Sequence, residues 1–208
     1  MSKPPQQFGP GHVEIVSQKP LHQGFFQMVE IQFRHPLFAG GRSDTVVREV
    51  FERGDAVVVL PYDPVADAVV LIEQLRVPAL RTSETPWLLE LVAGIIEPDE
   101  AREQVARREL MEETGLKAHS LRYLSSFLTS PGGCSERLYL YLAEVRVPDE
   151  GEAPGLFGLE SEHEDIRRHV VSRQQALEWV AEGHIDNASS IIGLQWLALN
   201  HTRLFGRE

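Results

Sequence analysis

Apolar and polar residues alternate along the first part of the chain in three short runs. The runs lie at residues 13–16, 25–33 and 45–51, and Pro20 falls between the first two. Alternation with a period of two, bounded by proline and glycine, is typical of strands. The pattern therefore predicts a small antiparallel sheet in residues 1–54. A unit of this size buries too little apolar surface to be stable alone, so we expect it to pack on the rest of the chain or on a second subunit.

Beyond Gly54 the apolar runs become continuous, which is typical of strands that are buried on both faces. Residues 56–60 form such a run, and a second strand is predicted at 69–75, after a turn at Asp63-Pro64. We expect these two strands to form a hairpin. Further strands are predicted at 88–92, 121–128, 137–145 and 168–171.

Helical signals follow in the second half of the chain. A helix is predicted over residues 99–114, because Gly115 is placed as its C-terminal cap. Ser172 and Gln175 have the spacing of a capping box, so a second helix is expected to begin at Ser172 and to end before Gly183.

A last helix is expected to begin at Asn187 or at Ser189, both of which suit an N-cap. Strands and helices in this order predict an α/β (α+β) fold, in which helices flank a mixed sheet. We expect residues 1–54 to form the N-terminal antiparallel sheet unit and residues 55–208 to form the main domain.

Composition and charge narrow the class of protein. The chain has 208 residues, of which 31 are acidic and 20 are Lys or Arg, and its formal net charge is −11. This charge argues against nucleic acid and anionic membranes as partners. The single cysteine excludes an internal disulfide and any multi-cysteine metal site. No apolar run is long enough to span a membrane, and the polar N-terminus does not resemble a secretory signal, so we expect a cytoplasmic protein.

Three carboxylates stand out on the first predicted helix. Glu109 and Glu113 are one turn apart, and Glu112 lies on the same side. Like charges at this spacing repel, and the last turn of a helix favours cations rather than anions. A bound divalent cation would remove both conflicts, since carboxylate oxygens are hard ligands of the kind that Mg²⁺ takes. The alternative is a solvated acidic face, which is common on Glu-rich helices.

A longer spacing pattern includes these carboxylates. It runs from Gly94 through Glu100 and Arg108 to Gly115 and Leu116, with five and seven residues in the first two gaps. The pattern resembles the signature of the Nudix hydrolases without a departure. The resemblance implies a Nudix-type α/β/α sandwich and a loop–helix–loop that binds Mg²⁺, with Mn²⁺ as a possible substitute. The implied reaction is hydrolysis of a nucleoside diphosphate that is linked to another group.

The resemblance also implies roles for the residues of this pattern. The carbonyl of Ala93 and the carboxylates of Glu109 and Glu113 are expected to bind the metal. Arg108 is expected to orient a neighbouring carboxylate, and Glu112 is expected to take part in catalysis. Gly94 allows the backbone to approach phosphate or metal closely.

Segments outside the pattern resemble the bacterial members of the family that hydrolyse ADP-ribose. These segments are residues 24–26, 48–54, 71–76, 82–87 and 130–137, and Pro131 lies 16 residues after Gly115. The resemblance implies ADP-ribose as substrate, AMP and ribose 5-phosphate as products, and a homodimer that exchanges its N-terminal sheets.

The same resemblance assigns the substrate contacts. Phe25 is expected to stack on adenine and Ile95 to contact the terminal ribose. The remaining substrate-binding residues are Phe26, Arg48, Glu49, Arg53, Arg76, Ser130, Gly132 and Glu136. Two simpler interpretations stay open at this point: Phe25 as a core aromatic and Arg76 as half of a surface ion pair.

The acidic segment 159–165 is the candidate source of a catalytic base. It follows a Gly-rich stretch, 151–158, so it is placed to close over a bound substrate. The resemblance assigns Glu162 as the base and Glu164 as a further metal ligand, with Glu160 as an alternative base. His163 and His169 are the other groups able to accept a proton. A solvated acidic loop is the alternative interpretation.

Two other functions remain open from the sequence. The first is hydrolysis of another nucleoside diphosphate derivative, such as a nucleotide sugar, NADH or a dinucleoside polyphosphate. The second is a non-catalytic ADP-ribose sensor built on the same fold. An intact set of carboxylates and the lack of an appended basic module make the sensor the less favoured of the two.

Overall fold

The computed structural model describes residues 5–148 and 155–206. The N-terminal residues 1–4 and residues 151–154 of the predicted loop lie outside these ranges. The described chain divides into two units. The N-terminal unit runs up to Gly54 and includes Leu128–Glu136, and the main unit contains Asp55–Phe127 and the described residues from Arg137 onward.

The N-terminal unit contains a three-stranded antiparallel sheet in the order β1-β2-β3. Its strands are β1 (Glu14–Gln23), β2 (Gln27–Arg34) and β3 (Val46–Glu52), after a short 3-10 helix at Pro10–His12. The prediction that Pro20 separates two strands is wrong, because β1 continues through it. The register of β1 with β2 shifts beside this proline, and an edge strand tolerates proline since one side of its backbone needs no partner.

Residues 128–136 also belong to the N-terminal unit, because part of this segment pairs with β3. The unit predicted from the sequence, residues 1–54, did not include them. The N–H of Phe51 donates to the carbonyl of Gly133 at 2.8 Å, and the N–H of Ser135 donates to the carbonyl of Phe51 at 3.2 Å. None of the residues in β1, β2 and β3 is buried. This small sheet therefore has no core of its own in a single chain.

The main unit is built on a mixed sheet of eight strands. The strands are β4 (Ala56–Asp63), β5 (Ala68–Leu75), β6 (Trp87–Glu90), β7 (Val92–Ile95), β8 (Ser120–Leu128), β9 (Arg137–Glu144), β10 (Leu156–Phe157) and β11 (Ile166–Ser172). The main path runs β10-β11-β5-β4-β9-β8, with β6 paired to β5 and β7 paired to β4. β4 and β9 are parallel, and the other registered pairs are antiparallel.

Helices cover both faces of this sheet. They are α1 (Arg102–Thr114), α2 (Arg173–Glu182) and α3 (Ala188–Phe205). One buried cluster joins alternate residues of β4 and β5 to α2 and α3, and a second joins the intervening residues to α1. The predicted fold class, an α/β/α sandwich with a small additional antiparallel sheet, is confirmed. No helix among the described residues is both long and apolar enough to cross a membrane.

The predicted strand at 88–92 is wrong in one respect, because it is two strands. β6 pairs with β5 and β7 pairs with β4, and the chain changes partner at Leu91. The N–H of Leu91 donates to the hydroxyl of Ser190 on α3 at 2.9 Å, which satisfies a buried group between the two ladders.

The helix boundaries differ slightly from those predicted. α1 begins at Arg102 rather than at residue 99, where Asp99 has a φ of 68°. α2 has half of the predicted capping box: the hydroxyl of Ser172 accepts from the N–H of Gln175, whose side chain binds Glu178 instead. Asn187 caps α3 through the N–H of Ser190.

Candidate active site

The carboxylates of the sequence pattern lie at the C-terminal end of α1. Gly115 ends the helix in the left-handed conformation, with φ 70°, and its N–H donates to the carbonyl of Met111 at 2.8 Å. Glu113 is 2% exposed, and the side chain of Glu109 is 13% exposed. A solvated acidic face is therefore the wrong interpretation for these two residues, which point toward the sheet.

The strand β7 packs directly against these carboxylates. The N–H of Ala93 donates to Oε2 of Glu113 at 3.1 Å. A Cβ atom at Gly94 would overlap the carboxylate of Glu109. Gly94 is therefore required by the close approach of the backbone to the Glu109 side chain, and any larger residue would displace that side chain.

Arg108 holds the carboxylates on its side of the helix. Its Nη1 donates to Glu109 at 2.8 Å and to Glu112 at 3.0 Å, and its Nη2 donates to Glu100 at 3.4 Å. The predicted role of Arg108 as an orienting group agrees with this geometry. Glu112 binds Arg108, which in turn binds Glu109. The catalytic role of Glu112 stays a prediction.

Three carboxyl groups influence one another at this site, those of Glu109, Glu113 and Glu164. Burial raises the pKa of Glu113 to about 9, since it outweighs the N–H of Ala93, which lowers it, and the nearby Glu109 and Glu164 raise it further. Burial also raises the pKa of Glu109 to about 7, against the lowering effect of the Arg108 charge. A divalent cation bound between these two buried carboxyl groups would stabilise their ionised forms.

The donor set fits a hard divalent cation. The side chains of Glu109 and Glu113 supply carboxylate oxygens, and Ala93 lies beside them on β7. Among the described residues, no three or more His, Cys, Asp or Glu side chains are already arranged around a common metal position. Phosphate oxygens and water complete the shell of Mg²⁺ in most nucleotide sites, so a partial protein shell is consistent with this ion.

The acidic segment after β10 contributes Glu164 to the same site. The Glu164 charge raises the pKa of both Glu109 and Glu113, as expected for a carboxylate near both. Its Oε2 accepts from the N–H of Leu159 at 3.1 Å, and the N–H of Gly158 donates to the carbonyl of Glu112 at 3.3 Å. The structure therefore ties this loop to the end of α1.

The candidate bases lie on the same loop. Glu160 and Glu162 are both exposed on a 3-10 helix at Glu160–Glu162, and His163 follows with a φ of 56°. The choice between Glu162 and Glu160 stays a prediction. His169 is placed elsewhere, since it pairs with Glu73 at 2.9 Å on the sheet face that α2 and α3 cover.

Arg76 lies directly after β5, and Ile95 lies on β7, the strand that packs against the carboxylates. The Arg76 charge lowers the pKa of Glu113, so its guanidinium acts on the carboxylate site as well as on its ion-pair partner Glu90. Ile95 is the last residue of β7 and lies opposite Ala56 on β4. Glu90 was missed by the sequence analysis, because a single glutamate within an apolar strand carries no spacing signal.

The N-terminal unit holds a second group of predicted site residues. Phe25 is 86% exposed, so a core aromatic is the wrong interpretation of this residue. It lines a cavity of about 460 Å³ together with Arg53 and residues of β1 and β2. Phe26 packs edge-on against Phe25 and Phe51, with the Arg53 guanidinium 5.2 Å from its ring centroid. Phe26 therefore supports Phe25 rather than lining the cavity.

Glu136 forms an ion pair with Arg53. It is 6% exposed, and its Oε1 lies 3.1 Å from Nε of Arg53. Four other predicted residues are exposed and do not line the cavity: Arg48, Glu49, Ser130 and Gly132. The Arg48 guanidinium binds the carbonyl of Val47 at 2.8 Å. The roles of these four residues in substrate binding stay predictions.

Comparison with known proteins agrees with the site geometry. The profile of the NUDIX domain matches residues 52–191. The chain is 56% identical over 200 residues to an ADP-ribose pyrophosphatase of Escherichia coli, with 96% of this chain and 94% of the relative covered. It is 46% identical over 202 residues to an ADP-ribose pyrophosphatase of Haemophilus influenzae, with 96% and 92% covered.

Two further matches are more distant. A GDP-mannose pyrophosphatase of Escherichia coli is 34% identical, with 74% of this chain and 78% of the relative covered. A solved structure described as an ADP compounds hydrolase matches the whole of both chains with a TM-score of 0.69 at 21% identity, which supports the fold. The profile match and these identities, together with the buried carboxylates around Gly94, lead to one conclusion: the chain belongs to the Nudix family.

Proposed function

We propose that this chain is a Mg²⁺-dependent pyrophosphohydrolase that converts ADP-ribose and water into AMP and ribose 5-phosphate. The observation that carries the proposal is the pair of buried carboxylates, Glu109 and Glu113, packed against the backbone at Ala93 and Gly94. Relatives at 56% and 46% identity are named ADP-ribose pyrophosphatases, which favours this substrate. A cytoplasmic location stays a prediction from the sequence.

The reaction needs a nucleophile and a stabilised leaving group. A bound divalent cation neutralises the pyrophosphate and makes a bound water more acidic. Glu109, Glu113 and Glu164 would hold such a cation, and Arg108 would keep Glu109 oriented. Water adds to one phosphorus, the bond from that phosphorus to the bridging oxygen breaks, and the bridging oxygen leaves with the other phosphate. Glu162 would accept the proton of the water, with Glu160 as the alternative.

In this proposal, each unit supplies its own set of substrate contacts. Phe25 offers an exposed aromatic face to adenine, beside a cavity that also includes Arg53. Arg76 offers its charge to the phosphates near Glu113, and Ile95 is the proposed contact of the terminal ribose. Arg48, Glu49, Ser130, Gly132 and Glu136 are the remaining proposed contacts.

We also propose a homodimer that exchanges its N-terminal sheets. Support comes from β1, β2 and β3, which contain no buried residue, although they carry apolar side chains such as Ile15 and Val47 that are about half exposed. A second subunit that covers this sheet would remove that apolar surface from water.

A second candidate function is hydrolysis of GDP-mannose, which the 34% identical relative favours. A substrate panel at fixed Mg²⁺ separates the two. We expect kcat/KM for ADP-ribose to exceed that for GDP-mannose, NADH and a dinucleoside polyphosphate by at least about tenfold, which is the effect of about 1.4 kcal/mol of differential binding.

Chelation of the metal should abolish AMP release, and Mg²⁺ should restore it. A chain that binds ADP-ribose with Mg²⁺ without releasing AMP would instead be a sensor.

A further inference from the structure

One carboxylate oxygen of Glu90 accepts two hydrogen bonds and makes a further ion-pair contact. Its Oε2 lies 3.0 Å from Nε of Arg76 and 2.9 Å from Nη2 of the same residue. The side-chain amide of Gln74 donates to the same oxygen at 3.2 Å. Charge-assisted bonds from a planar guanidinium fix its orientation as well as its position.

The strands place this arrangement on the α1 side of the sheet. Glu90 lies opposite Ile72 in the pairing of β6 with β5, and Ile72 packs in the cluster that contains α1. Gln74 lies two residues after Ile72 and therefore on the same face. Glu90 and Gln74 have little exposure, 13% for the Glu90 side chain and 7% for Gln74, whereas the Arg76 side chain is 43% exposed. A largely buried carboxylate thus holds a cation that is partly exposed to solvent.

One edge of the guanidinium remains available. Glu90 occupies the edge formed by Nε and Nη2, and Nη1 of Arg76 has no hydrogen-bond or ion-pair partner within residues 5–148 and 155–206. The edge formed by Nη1 and Nη2 therefore faces away from Glu90. That edge has two parallel N–H groups, which is the geometry that binds two oxygens of a phosphate.

We propose that Glu90, supported by Gln74, is a positioning residue that presents the Nη1–Nη2 edge of Arg76 to a phosphate of the substrate diphosphate. The inference rests on the proposed function for the identity of that diphosphate. Without Glu90, the long side chain of Arg76 would sample several rotamers, and each binding event would have to order it again. Glu90 therefore acts on diphosphate binding only through Arg76.

A double-mutant cycle tests this coupling. The variants are Glu90→Gln, which keeps the shape and removes the charge, Arg76→Ala, and the two combined. We expect Glu90→Gln to weaken the Kd for ADP in the presence of Mg²⁺ about fivefold to tenfold and Arg76→Ala to weaken it at least as much. The double variant should match Arg76→Ala within about twofold, because Glu90 has nothing left to position. For hydrolysis, KM for ADP-ribose should rise more than kcat falls in Glu90→Gln.

Three controls separate the outcomes. Glu84→Gln removes an exposed carboxylate of the same unit and should leave the Kd unchanged. Thermal unfolding of Glu90→Gln should match the parent closely, so that a folding defect is not mistaken for weaker binding. The inference would be overturned if the Kd of the double variant rose by the product of the two single effects. It would also be overturned if Glu90→Gln left the Kd unchanged. Because ADP binding is measured without turnover, failure of the ADP-ribose assay alone would instead reject the proposed function.

Discussion

Gly94 shows how a single residue connects the sequence pattern to the site. Its position was predicted from spacing, and the structure gives the reason, which is contact with Glu109 rather than a special φ. Glu109 and Glu113 were also predicted, because like charges one turn apart in the last turn of a helix conflict with ordinary helix preferences. Glu90 was not predicted, since its role depends on the strand pairing that brings it to Arg76. Residues whose role arises from tertiary contacts alone leave no local signal.

We predict that the single substitution Gly94→Ala will lower kcat for ADP-ribose by about 10²-fold. This is the effect typical of a displacement of about 1 Å in a catalytic group. The added Cβ displaces the Glu109 carboxylate. Steady-state kinetics and Mn²⁺ binding, measured by titration, should both show the loss. Gly133→Ala is the matched control, because a Cβ there meets no atom within 4 Å and should change neither quantity.

The hairpin of β4 and β5 shows what can be predicted for an element. Its turn at Asp63-Pro64 is confirmed by the pairing of Tyr62 with Val69. The sequence did not reveal that Asp63 is fully buried, where it accepts from the N–H groups of Val65 at 2.8 Å and Val147 at 3.0 Å. In contrast, the change of partner between β6 and β7 was missed, because neither glycine nor proline marks it within residues 88–92.

The buried Asp63 should make stability depend on pH. Burial alone would raise the pKa of Asp63, but the N–H groups of Val147, Val65 and Ala66 and the Arg146 charge outweigh it and lower the pKa below its ordinary value of 3.8. The stabilisation is therefore complete above about pH 5 and is lost as the pH falls through the lowered folded-state pKa. We predict that Asp63→Asn costs about 1–3 kcal/mol at pH 7. The melting temperatures of variant and parent should converge only as the pH falls below the folded-state pKa of Asp63, which lies under 3.8.

Asp44→Asn, at an exposed position, is the control for this measurement and should leave the melting temperature unchanged at each pH. A difference between Asp63→Asn and the parent that stays constant as the pH falls from 8 to about 2 would show that the charge of Asp63 does not contribute.

The whole molecule combines a layered main unit with a sheet that lacks a core. The α/β/α architecture was predictable, because the alternation of strand and helix patterns and the Nudix spacing both indicate it. The pairing of residues 128–136 with β3 was not, because it joins segments that are about 80 residues apart in the chain. The net charge of −11 now has a partial explanation in the carboxylates that would hold cations. The exchanged homodimer stays a proposal.

Mixing of two defective variants tests that proposal. Phe25→Ala alters the N-terminal unit, and Glu113→Gln alters the main unit. If each site takes its two halves from different subunits, heterodimers formed by partial unfolding and refolding of the mixture contain one intact site. We predict recovery of about a quarter of the parental activity, since half of randomly formed dimers are mixed and each has one good site. Light scattering should give twice the 23.4 kDa of the chain. A mixture that stays inactive, or a monomeric mass, would contradict the exchange.

The most direct test of the central claim is AMP release from ADP-ribose at saturating Mg²⁺ by the parent chain, Glu113→Gln and Glu162→Gln. Glu113 is the most buried of the proposed metal ligands, and Glu162 is the proposed base. We predict that the parent releases AMP and ribose 5-phosphate in equal amounts and that each variant is slower by about 10²–10⁴-fold. Glu84→Gln should retain the parental rate. Turnover that stays within tenfold of the parent in both site variants would contradict the account.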